Sequence, residues 1–317
     1  MDLFDVYSLY DITPVKGEGA YVFDKDGNKY LDLYGGHAVI SIGHSHPAYV
    51  NAISKQVSKL GFYSNSVKNP LQEQLANNLE KISGVKDYNL FLCNSGAEAN
   101  ENALKVASFH TGKDRVIYFD NAFHGRTSGV VAVTDNENIK APFNQNHKAT
   151  KKAFEDSEAV EAELKKGDVA AVIFEVIQGV GGLDEASSEF YQKTAELCKE
   201  YNSVLIADEV QSGYGRTGDF FAFQKHNIRP DIISIAKGMG NGFPIGGVLI
   251  DKAISAKSGM LGTTFGGNHL ACAAGISVLE IIEKENLLKN AAELFEYVKE
   301  KAAEIPQIQK IKGRGLM

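Results

Sequence analysis

An acid and a lysine follow two apolar runs of this sequence, and their types and spacing could support chemistry on a bound ligand. Asp208 and Glu209 follow the run Val204–Ala207, and Lys237 follows the run Asp231–Ala236. Short apolar runs bounded by Gly and Pro are typical of buried strands in a parallel sheet, and ligands bind at the carboxyl ends of such strands. We therefore expect the acid and the lysine to face one crevice. A lysine held there out of water has a lowered pKa and becomes a nucleophile, whereas a solvated loop cation is the alternative.

The segment Asn94–Glu101 joins a predicted strand to a predicted helix and could bind an anion. Small residues at Ser95, Gly96 and Ala97 let backbone amides approach a negative group at the positive end of the helix, and the Ser95 hydroxyl can add a donor. A plain capped helix with Glu98 in its first turn is the alternative. The segment lacks the Gly-Lys-Ser/Thr of a P-loop and the G-x-G-x-x-G of a dinucleotide site, so ATPase and dinucleotide-binding functions lose their main support.

An aromatic residue and an arginine, Phe123 and Arg126, follow the strand that is predicted to end at Phe119. An aromatic side chain there can lie flat against a ring and an arginine can clamp a carboxylate, although a core phenylalanine and a surface arginine would look the same in sequence. Pyridoxal phosphate requires a lysine for a Schiff base, an acid at the ring nitrogen, an anion site for the phosphate and apolar packing against the ring. The sequence supplies one of each, because Val210 can pack with Phe123. We therefore expect pyridoxal phosphate as the cofactor.

Composition and charge argue against several classes of protein. Of the 317 residues, 44% are hydrophobic and 23% are charged, and the net charge of -7 leaves no broad basic surface for nucleic acid or anionic lipid. No apolar run is long enough to cross a bilayer, and acids occupy the start where a signal peptide carries Lys or Arg, so we expect a cytoplasmic protein. Cys93, Cys198 and Cys272 are predicted to be buried reduced thiols, and no cluster of metal ligands accompanies His44 and His46.

Strand-like and helical stretches alternate from Tyr88 onward, which predicts an α/β fold with a mostly parallel sheet covered by helices on both faces. Alternating residues around Asp26-Gly27 also predict a β-hairpin near the N-terminus. The predicted strands are Asn89–Cys93, Arg115–Phe119, Gly129–Val133, Val169–Phe174, Val204–Ala207 and Asp231–Ala236. The predicted helices are Ala48–Leu60, Pro70–Ile82, Ala97–Thr111, Ser157–Lys166, Ser188–Tyr201, Ala271–Lys284 and Asn286–Ala303.

Six motifs carry a resemblance to a known family. They are SGAEANENALK, NAFHGRT, the E-x-x-Q-G stretch at 175–179, LIADEVQSGYGRTG, AKGMGNGFPIGG and GTTFGGNHLAC. From about Phe4 to Met317 the chain resembles the class III pyridoxal phosphate aminotransferases of fold type I, in particular the acetylornithine aminotransferase branch. The resemblance implies a three-layer, mostly parallel sheet in a large domain, and a small α+β domain. We accordingly expect part of the small domain with its hairpin at 1–45, the large cofactor-binding domain at 46–280, and an incomplete start of the C-terminal small domain at 281–317.

The resemblance implies a role for each matching residue of the site. Lys237 is implied as the Schiff-base lysine and proton shuttle, and Asp208 as the partner of the pyridine nitrogen. Arg126 is implied to receive the α-carboxylate of the substrate, with Thr263 and Glu175 as further substrate-binding residues. The other implied cofactor contacts are Ser95, Gly96 and Ala97 at the phosphate, Phe123 and Val210 on the ring faces, Glu209 beside Asp208, Gln211 at the ring hydroxyl, and Thr264 from the second subunit of a homodimer with shared active sites.

The activity implied is transfer of the terminal amino group of an N-acylornithine, acetyl or succinyl, to 2-oxoglutarate in arginine biosynthesis, giving the semialdehyde and glutamate. An aminotransferase for ornithine or another ω-amino acid is the first alternative; a mutase, a decarboxylase or a non-catalytic protein of the same fold is a weaker one. The family often has a second acid where this chain has Val180, so we expect a different acyl preference, such as succinyl. The sequence stops at Gly313–Met317, before a family arginine that pairs with Glu175. We therefore expect a truncated C-terminus and, if the chain ends there, impaired use of 2-oxoglutarate.

Overall fold

The strands of the protein form two sheets, as described for residues 1–317 by a computed structural model. The first sheet contains β1 (Pro14–Glu18), β2 (Tyr21–Asp24) and β3 (Lys29–Leu31). The second contains β4 (Tyr88–Cys93), β5 (Arg115–Phe119), β6 (Ala149–Lys152), β7 (Val169–Glu175), β8 (Val204–Asp208), β9 (Ile232–Ile235) and β10 (Gly246–Asp251). Its strand order is β4-β10-β9-β8-β7-β5-β6, and every neighbouring pair is parallel except the two pairs that contain β10.

Helices occupy most of the connections between these strands. They are α1 (Gly35–Ala38), α2 (Pro47–Val57), α3 (Pro70–Ser83), α4 (Gly96–Thr111), α5 (Ser128–Ala132), α6 (Ser157–Leu164), α7 (Ser188–Glu200), α8 (His269–Lys284) and α9 (Leu287–Ala303). The first of these is a single turn whose backbone lies in the left-handed region. No helix is long and apolar enough to cross a membrane.

Helices cover both faces of the large sheet because its central strands bury side chains on both sides. Leu205 and Ala207 of β8 pack into the larger apolar core with residues of α3, α7 and α8, whereas Val204 and Ile206 pack into a smaller core with residues of α4. Every residue of β7 and β8 is buried. This two-sided burial explains the continuous apolar runs in the sequence, and it confirms the predicted α/β fold with a mostly parallel sheet.

One predicted strand, Gly129–Val133, is wrong, because most of these residues form helix α5. The amides of Gly129 and Val130 donate to Oε1 of Glu101 at 2.7 and 3.3 Å, so a carboxylate sits at the positive end of the short helix. Val130 to Ala132 are buried. Periodicity alone does not separate a short buried helix from a buried strand, and the stabilising carboxylate comes from a distant part of the sequence.

Strand β10 was not predicted from the sequence, although it lies between β4 and β9. It begins with Gly246 and Gly247, which weaken a strand pattern. A Cβ at Gly246 would lie 2.7 Å from the carbonyl oxygen of Ser95. The glycines are thus required by the close approach of the β4–α4 segment, which brings that segment onto the carboxyl edge of the sheet. Strand β6 at the opposite edge was also missed.

The N-terminal hairpin around Asp26-Gly27 is confirmed. Strands β2 and β3 pair antiparallel, and Oδ1 of Asp24 accepts hydrogen bonds from the amides of Asp26 and Asn28 at 2.9 and 2.8 Å. These hydrogen bonds fix the turn between the two strands. The expected domain boundaries after residues 45 and 280 stay predictions.

The cysteines are buried free thiols. Burial raises the pKa of Cys93 and of Cys272 to about 12, so neither is a nucleophile near neutral pH. No group of three or more His, Cys, Asp or Glu side chains is placed to hold a metal ion. His44 and His46 instead pair with the carboxylates of Asp32 and Glu285, at 2.7 and 2.9 Å.

Candidate active site

The carboxyl ends of the central strands open into one cavity of about 480 Å³. Glu175 ends β7, Asp208 ends β8 and Lys237 follows β9, and all three line the cavity. The structure therefore brings the acid and the lysine into one crevice. The other predicted site residues that line it are Ser95, Gly96, Ala97, Phe123, Arg126, Val210 and Gln211.

The carboxylate of Asp208 is held in one orientation by three close donors. Its Oδ2 atom accepts from Nδ2 of Asn100 and from Nδ1 of His124, both at 2.7 Å, and its Oδ1 atom accepts from the amide of Val210 at 3.0 Å. Asp208 is only 4% exposed, so its charge requires such partners. Since a carboxylate only accepts hydrogen bonds, His124 carries its proton on Nδ1.

His124 and Asn100 each keep one buried polar atom without a partner in the chain. These atoms are Nε2 of His124 and Oδ1 of Asn100, and both residues also line the cavity. Buried polar atoms of proteins are rarely left unpaired, and a bound group or water is one explanation where such atoms belong to residues that line a cavity. We call the part of the cavity formed by Asp208, Asn100 and His124 its acid end. The unpaired atoms indicate that this acid end is built to interact with a bound group.

Lys237, which also lines the cavity, stands in an unusual backbone conformation. Lys237 begins a short 3-10 turn, Lys237–Met239. Its φ of 42° lies in the left-handed region, which residues with a Cβ atom rarely adopt. Burial lowers the pKa of the Lys237 ammonium, Asp208 and Glu175 oppose that shift, and the nearby positive charge of Arg216 adds to it. The result is a partly buried amine that loses its proton more easily than a solvated lysine.

The N-terminus of α4, where the sequence predicts an anion site, lines the cavity. Ser95 is the N-cap, and its Oγ atom accepts from the amide of Glu98 at 3.2 Å. The structure therefore shows the plain helix cap, and the anion site stays a prediction for the same residues. A Cβ at Gly96 would lie 2.6 Å from Cγ1 of Val210, so only glycine fits between the helix and that side chain. The carboxylate of Glu98 accepts from the amide and the side chain of Asn94 at 3.1 and 2.8 Å.

Two close contacts, of Phe123 with Glu175 and of Gly179 with Gln211, shape the cavity wall near Val210. Phe123 and Val210 both line it, and the amide of Phe123 donates to Oε2 of Glu175 at 3.0 Å. A Cβ at Gly179 would lie 2.2 Å from Oε1 of Gln211, so any larger residue at position 179 would displace the Gln211 amide from its place in the wall. The backbone and the glycines therefore place Phe123, Val210 and Gln211 around one volume.

Glu175 is a carboxyl group with an altered proton affinity. Burial raises its pKa to about 7, and the charge of Asp208 adds to that rise, whereas His124 and hydrogen bonds from the amides of Phe123 and Gly179 oppose it. Glu175 therefore gains and loses its proton near neutral pH. Perturbed pKa values of this kind are frequent at functional sites.

Three predicted site residues lie outside the cavity. The carboxylate of Glu209 is directed into the core, where it accepts from the hydroxyl of Ser212 at 2.7 Å and from the amides of Ala222 and Phe223 at 3.0 and 2.9 Å. These donors use the carboxylate to hold a turn, so the described contacts give no support to its predicted cofactor contact, which stays a prediction. Thr263 and Thr264 are also absent from the cavity wall of this chain.

Arg126 and Val180 lie at the mouth of the cavity. Arg126 is exposed, and Val180 is 66% exposed.

Asn100 and His124, in contrast, lie at the base of the cavity and were not identified from the sequence as site residues. A signal for Asn100 exists, because it stands one helical turn after Gly96 and therefore shares its face of α4.

Comparisons with known proteins show which family the chain resembles. Residues 6–317 match the family model of the class-III aminotransferases. The chain is 43% identical to an acetylornithine aminotransferase of Bacillus subtilis (strain 168), over 99% of this chain and 83% of that protein. It is 42% identical to an acetylornithine aminotransferase of Aquifex aeolicus (strain VF5), over 99% of this chain and 85% of that protein.

A solved structure has the same fold. It is the ornithine aminotransferase of Toxoplasma gondii, crystallised in the presence of oxidised glutathione, and it reveals partial occupancy of PLP at the active site of that protein. The TM-score is 0.90 at 30% sequence identity, and the match covers 98% of this chain and 77% of that chain.

Proposed function

The chain belongs to the class-III aminotransferase family, and on this premise we propose that it uses pyridoxal phosphate to transfer the terminal amino group of an N-acylornithine to 2-oxoglutarate. The products would be the semialdehyde and glutamate, in a step of arginine biosynthesis. The observation that carries the proposal is the cavity in which Lys237 and Asp208 stand at two strand ends beside the N-terminus of α4. The two relatives named acetylornithine aminotransferase, 43% and 42% identical, support this class of amino donor.

The donor set of the cavity fits pyridoxal phosphate. The amides of Gly96 and Ala97, with Ser95, would hold the phosphate at the positive end of α4. Asp208 would pair with the ring nitrogen, and Gln211 would meet the ring hydroxyl. Phe123 and Val210 would lie on the two ring faces. Gly125 supports the same cradle, because its φ is 139° and a Cβ there would lie 2.9 Å from Cβ of Ala97.

The acid end of the cavity keeps a negative charge in a fixed position. Once bound, the cofactor supplies an electron sink for the C–H bond that is to be broken, provided that its ring nitrogen stays protonated. Asp208 stabilises that proton, and the hydrogen bonds from Asn100 and His124 prevent the carboxylate from turning away. These two residues therefore position Asp208.

Lys237 moves the proton of the reaction. Burial lowers the pKa of this lysine, so its Nζ atom gives up its proton more readily than that of a solvated lysine. This atom would take a proton from the donor carbon and return it elsewhere on the same face. The left-handed backbone at Lys237 directs the residue from the end of β9 into the cavity. Replacement of this lysine should therefore abolish turnover.

Arg126 and Val180 would select the amino donor at the mouth. The exposed guanidinium of Arg126 can clamp the α-carboxylate with two parallel hydrogen bonds. Val180 offers an apolar surface to the acyl group, and it carries no negative charge that would repel a succinyl carboxylate. We expect both acyl groups to be accepted. Neither Val180 nor Val39 has an acceptor for a free α-ammonium group, so unmodified ornithine would gain no polar contact from these side chains.

A second copy of the chain would complete the site. Phe265 is 60% exposed, next to the exposed Thr264, and its ring lies 5.4 Å from that of Phe62, which is 42% exposed. Clustered exposed apolar residues of this kind mark interaction surfaces. In the proposed homodimer, Thr264 reaches the phosphate site of the partner subunit and Thr263 lies beside the substrate. Location in the cytoplasm stays a prediction.

Turnover with three donors tests the proposal. N-acetylornithine, N-succinylornithine and free ornithine are each supplied with 2-oxoglutarate, and glutamate is measured. We expect both acylated donors to exceed ornithine. A clear preference for ornithine would favour the first alternative, to which the similarity with the Toxoplasma gondii enzyme also points. Release of carbon dioxide, or an isomerised donor without glutamate, would indicate a decarboxylase or a mutase.

A further inference from the structure

Arg216 is a partly buried cation without a carboxylate partner. Its Nη2 atom donates to the carbonyl oxygens of Ala38 and Ile40, at 3.1 and 2.7 Å. Burial lowers the pKa of the guanidinium, which indicates that its positive charge is poorly compensated. Arginine side chains removed from water normally pair with acids, so this one calls for an explanation.

The carbonyls that bind Arg216 belong to an unusual segment, Gly35–Ile42, which we name the left-handed segment. Four consecutive residues, Gly35 to Ala38, have φ values of 56°, 58°, 62° and 59°. Two of them, His37 and Ala38, carry a Cβ, and left-handed backbone is disfavoured for such residues. Within the segment the amides of Val39 and Ile40 donate to the carbonyl of Gly35 at 2.8 and 3.0 Å. Contacts from outside must supply the rest of its stability.

The left-handed segment also holds the turn that carries Lys237. The hydroxyl of Ser41 donates to the carbonyl of Gly238 at 2.7 Å, directly after the lysine. The side-chain oxygen of Asn241 accepts from the amides of Ser41 and Ile42 at 2.8 and 3.1 Å. Lys237 and Asn241 are themselves left-handed, with φ values of 42° and 48°. Two strained segments thus stabilise each other at the edge of the cavity.

Val39 is the residue of the left-handed segment that lines the cavity. It lies between the two carbonyls that accept from Arg216, and the same cavity wall contains Lys237 and Phe243. Any movement of the segment would therefore move a side chain that lines the cavity.

We propose that Arg216 is a positioning residue of the active site. By holding the carbonyls on either side of Val39, its guanidinium fixes this side chain in the cavity wall. Through Ser41, the same contact helps to keep Lys237 in its left-handed conformation. The consequence for substrate binding rests on the proposed aminotransferase function, whereas the consequence for the backbone does not depend on it.

A matched control separates positioning from general stabilisation. Lys113 is also a cation that donates to two backbone carbonyls, of Tyr201 and Asn202, both at 2.8 Å, and it does not line the cavity. Arg216→Gln and Lys113→Gln therefore remove the same kind of contact at two places. Arg216→Lys retains the charge but loses the planar donor geometry of arginine.

Hydrogen–deuterium exchange and steady-state kinetics of the cofactor-loaded enzyme provide the test. In Arg216→Gln we expect amide exchange in the peptide spanning residues 34–42 to accelerate by about tenfold, because local opening becomes easier. We also expect the KM for the N-acylornithine to rise by about tenfold with a smaller change in kcat, as for a lost binding contact. Arg216→Lys should recover part of both effects. Lys113→Gln should change neither.

A double-mutant cycle links the effect to Val39. If Arg216 acts through this side chain, the single variant Val39→Ala should raise the KM. The double variant Val39→Ala/Arg216→Gln should then raise the KM little further. Unchanged exchange in residues 34–42, equal acceleration in all peptides, or fully additive KM changes would each overturn the proposal. If Arg216→Gln does not fold, Ser41→Ala carries the test, with faster exchange expected around Gly238.

The failure of the proposed function has a different result. In that case the wild-type enzyme would turn over none of the ornithine donors, while the exchange measurement would still show whether Arg216 holds the left-handed segment.

Discussion

The Nδ1 atom of His124 lies 2.7 Å from Oδ2 of Asp208, and both side chains are buried at the base of the cavity. His124 thereby fixes an acid whose other close partners are Asn100 and the amide of Val210, with the hydroxyl of Ser234 further away at 3.5 Å. His124 and Asp208 therefore have different roles in the site. Asp208 would face the proposed cofactor, and His124 fixes the orientation of its carboxylate.

Replacing His124 with alanine should weaken the cofactor site. Asp208 would lose one of its two donors to Oδ2, and loss of such a supporting contact reduces ligand affinity or activity by about 10- to 100-fold. Fluorescence titration of the apoenzyme with pyridoxal phosphate, together with kcat/KM, measures the effect. The exposed histidine variant His110→Ala serves as the control and should behave as wild type. Wild-type affinity and turnover in His124→Ala would show that the histidine has no such role.

The sequence predicted the charged ends of the strands but not their supports. Asp208 and Lys237 follow apolar runs, and buried parallel strands bring such residues to one edge of a sheet. Asn100 and His124 lie on other elements, and their contact with Asp208 exists only after α4 and the segment following β5 have packed against β8. Tertiary packing of this kind leaves no periodic pattern in the sequence.

Gly96→Ala should impair cofactor binding through a single methyl group. The new Cβ would meet Cγ1 of Val210 at 2.6 Å and push that side chain into the volume assigned to the ring. Overpacking costs about 1–3 kcal/mol, so we expect cofactor affinity to fall by about tenfold or more. The double variant Gly96→Ala/Val210→Ala restores the space and should recover affinity relative to Gly96→Ala. If the single variant binds as tightly as wild type, the cradle is not where we place it.

Arg126→Gln should affect only donors that carry an α-carboxylate. Loss of a charge-assisted, two-point contact corresponds to about 1.5–3 kcal/mol, so the KM for N-acetylornithine should rise by about 10- to 100-fold. N-acetylputrescine has the same amine and acetamide without the carboxylate, and its kinetics should not change. An equal loss with both donors would place the carboxylate elsewhere.

Glu209 should give the folded protein a pH-dependent stability. Burial raises its pKa from the ordinary 4.5 to about 7, so the folded state binds more protons than the unfolded state between these pH values. The free energy of unfolding should therefore decrease as the pH rises through this window, by about 3 kcal/mol from this group. Glu175, whose pKa also rises to about 7, contributes in the same direction.

Urea denaturation of Glu209→Gln at pH 5 and pH 8 isolates this contribution. The variant should be less stable than wild type at pH 5. The new amide nitrogen at position 209 cannot accept the hydrogen bonds that the carboxyl group accepted, so a donor would be left unpaired. Its stability should nevertheless change less between the two pH values than that of wild type. The exposed variant Glu280→Gln should retain the wild-type difference. If the stability of Glu209→Gln changed between pH 5 and pH 8 as much as that of wild type, the contribution assigned to Glu209 would be refuted.

Glu209 also shows where a motif is insufficient. It adjoins Asp208 in the sequence, but β8 ends there and the two carboxylates separate, one to the cavity and the other to the turn at Ala222 and Phe223. The helix α5 was missed for a related reason, since the carboxylate that stabilises its N-terminus belongs to Glu101 in α4. In both cases a distant contact decides the local structure.

The most direct test of the account identifies the lysine that holds the cofactor. The purified enzyme is loaded with pyridoxal phosphate, reduced with borohydride and digested, and the pyridoxyl-bearing peptide is sequenced by mass spectrometry. We predict the label on Lys237 and its loss, together with turnover, in Lys237→Ala. A label on another lysine of the wild-type enzyme, or none on any lysine, would contradict the assignment of this cavity as the active site.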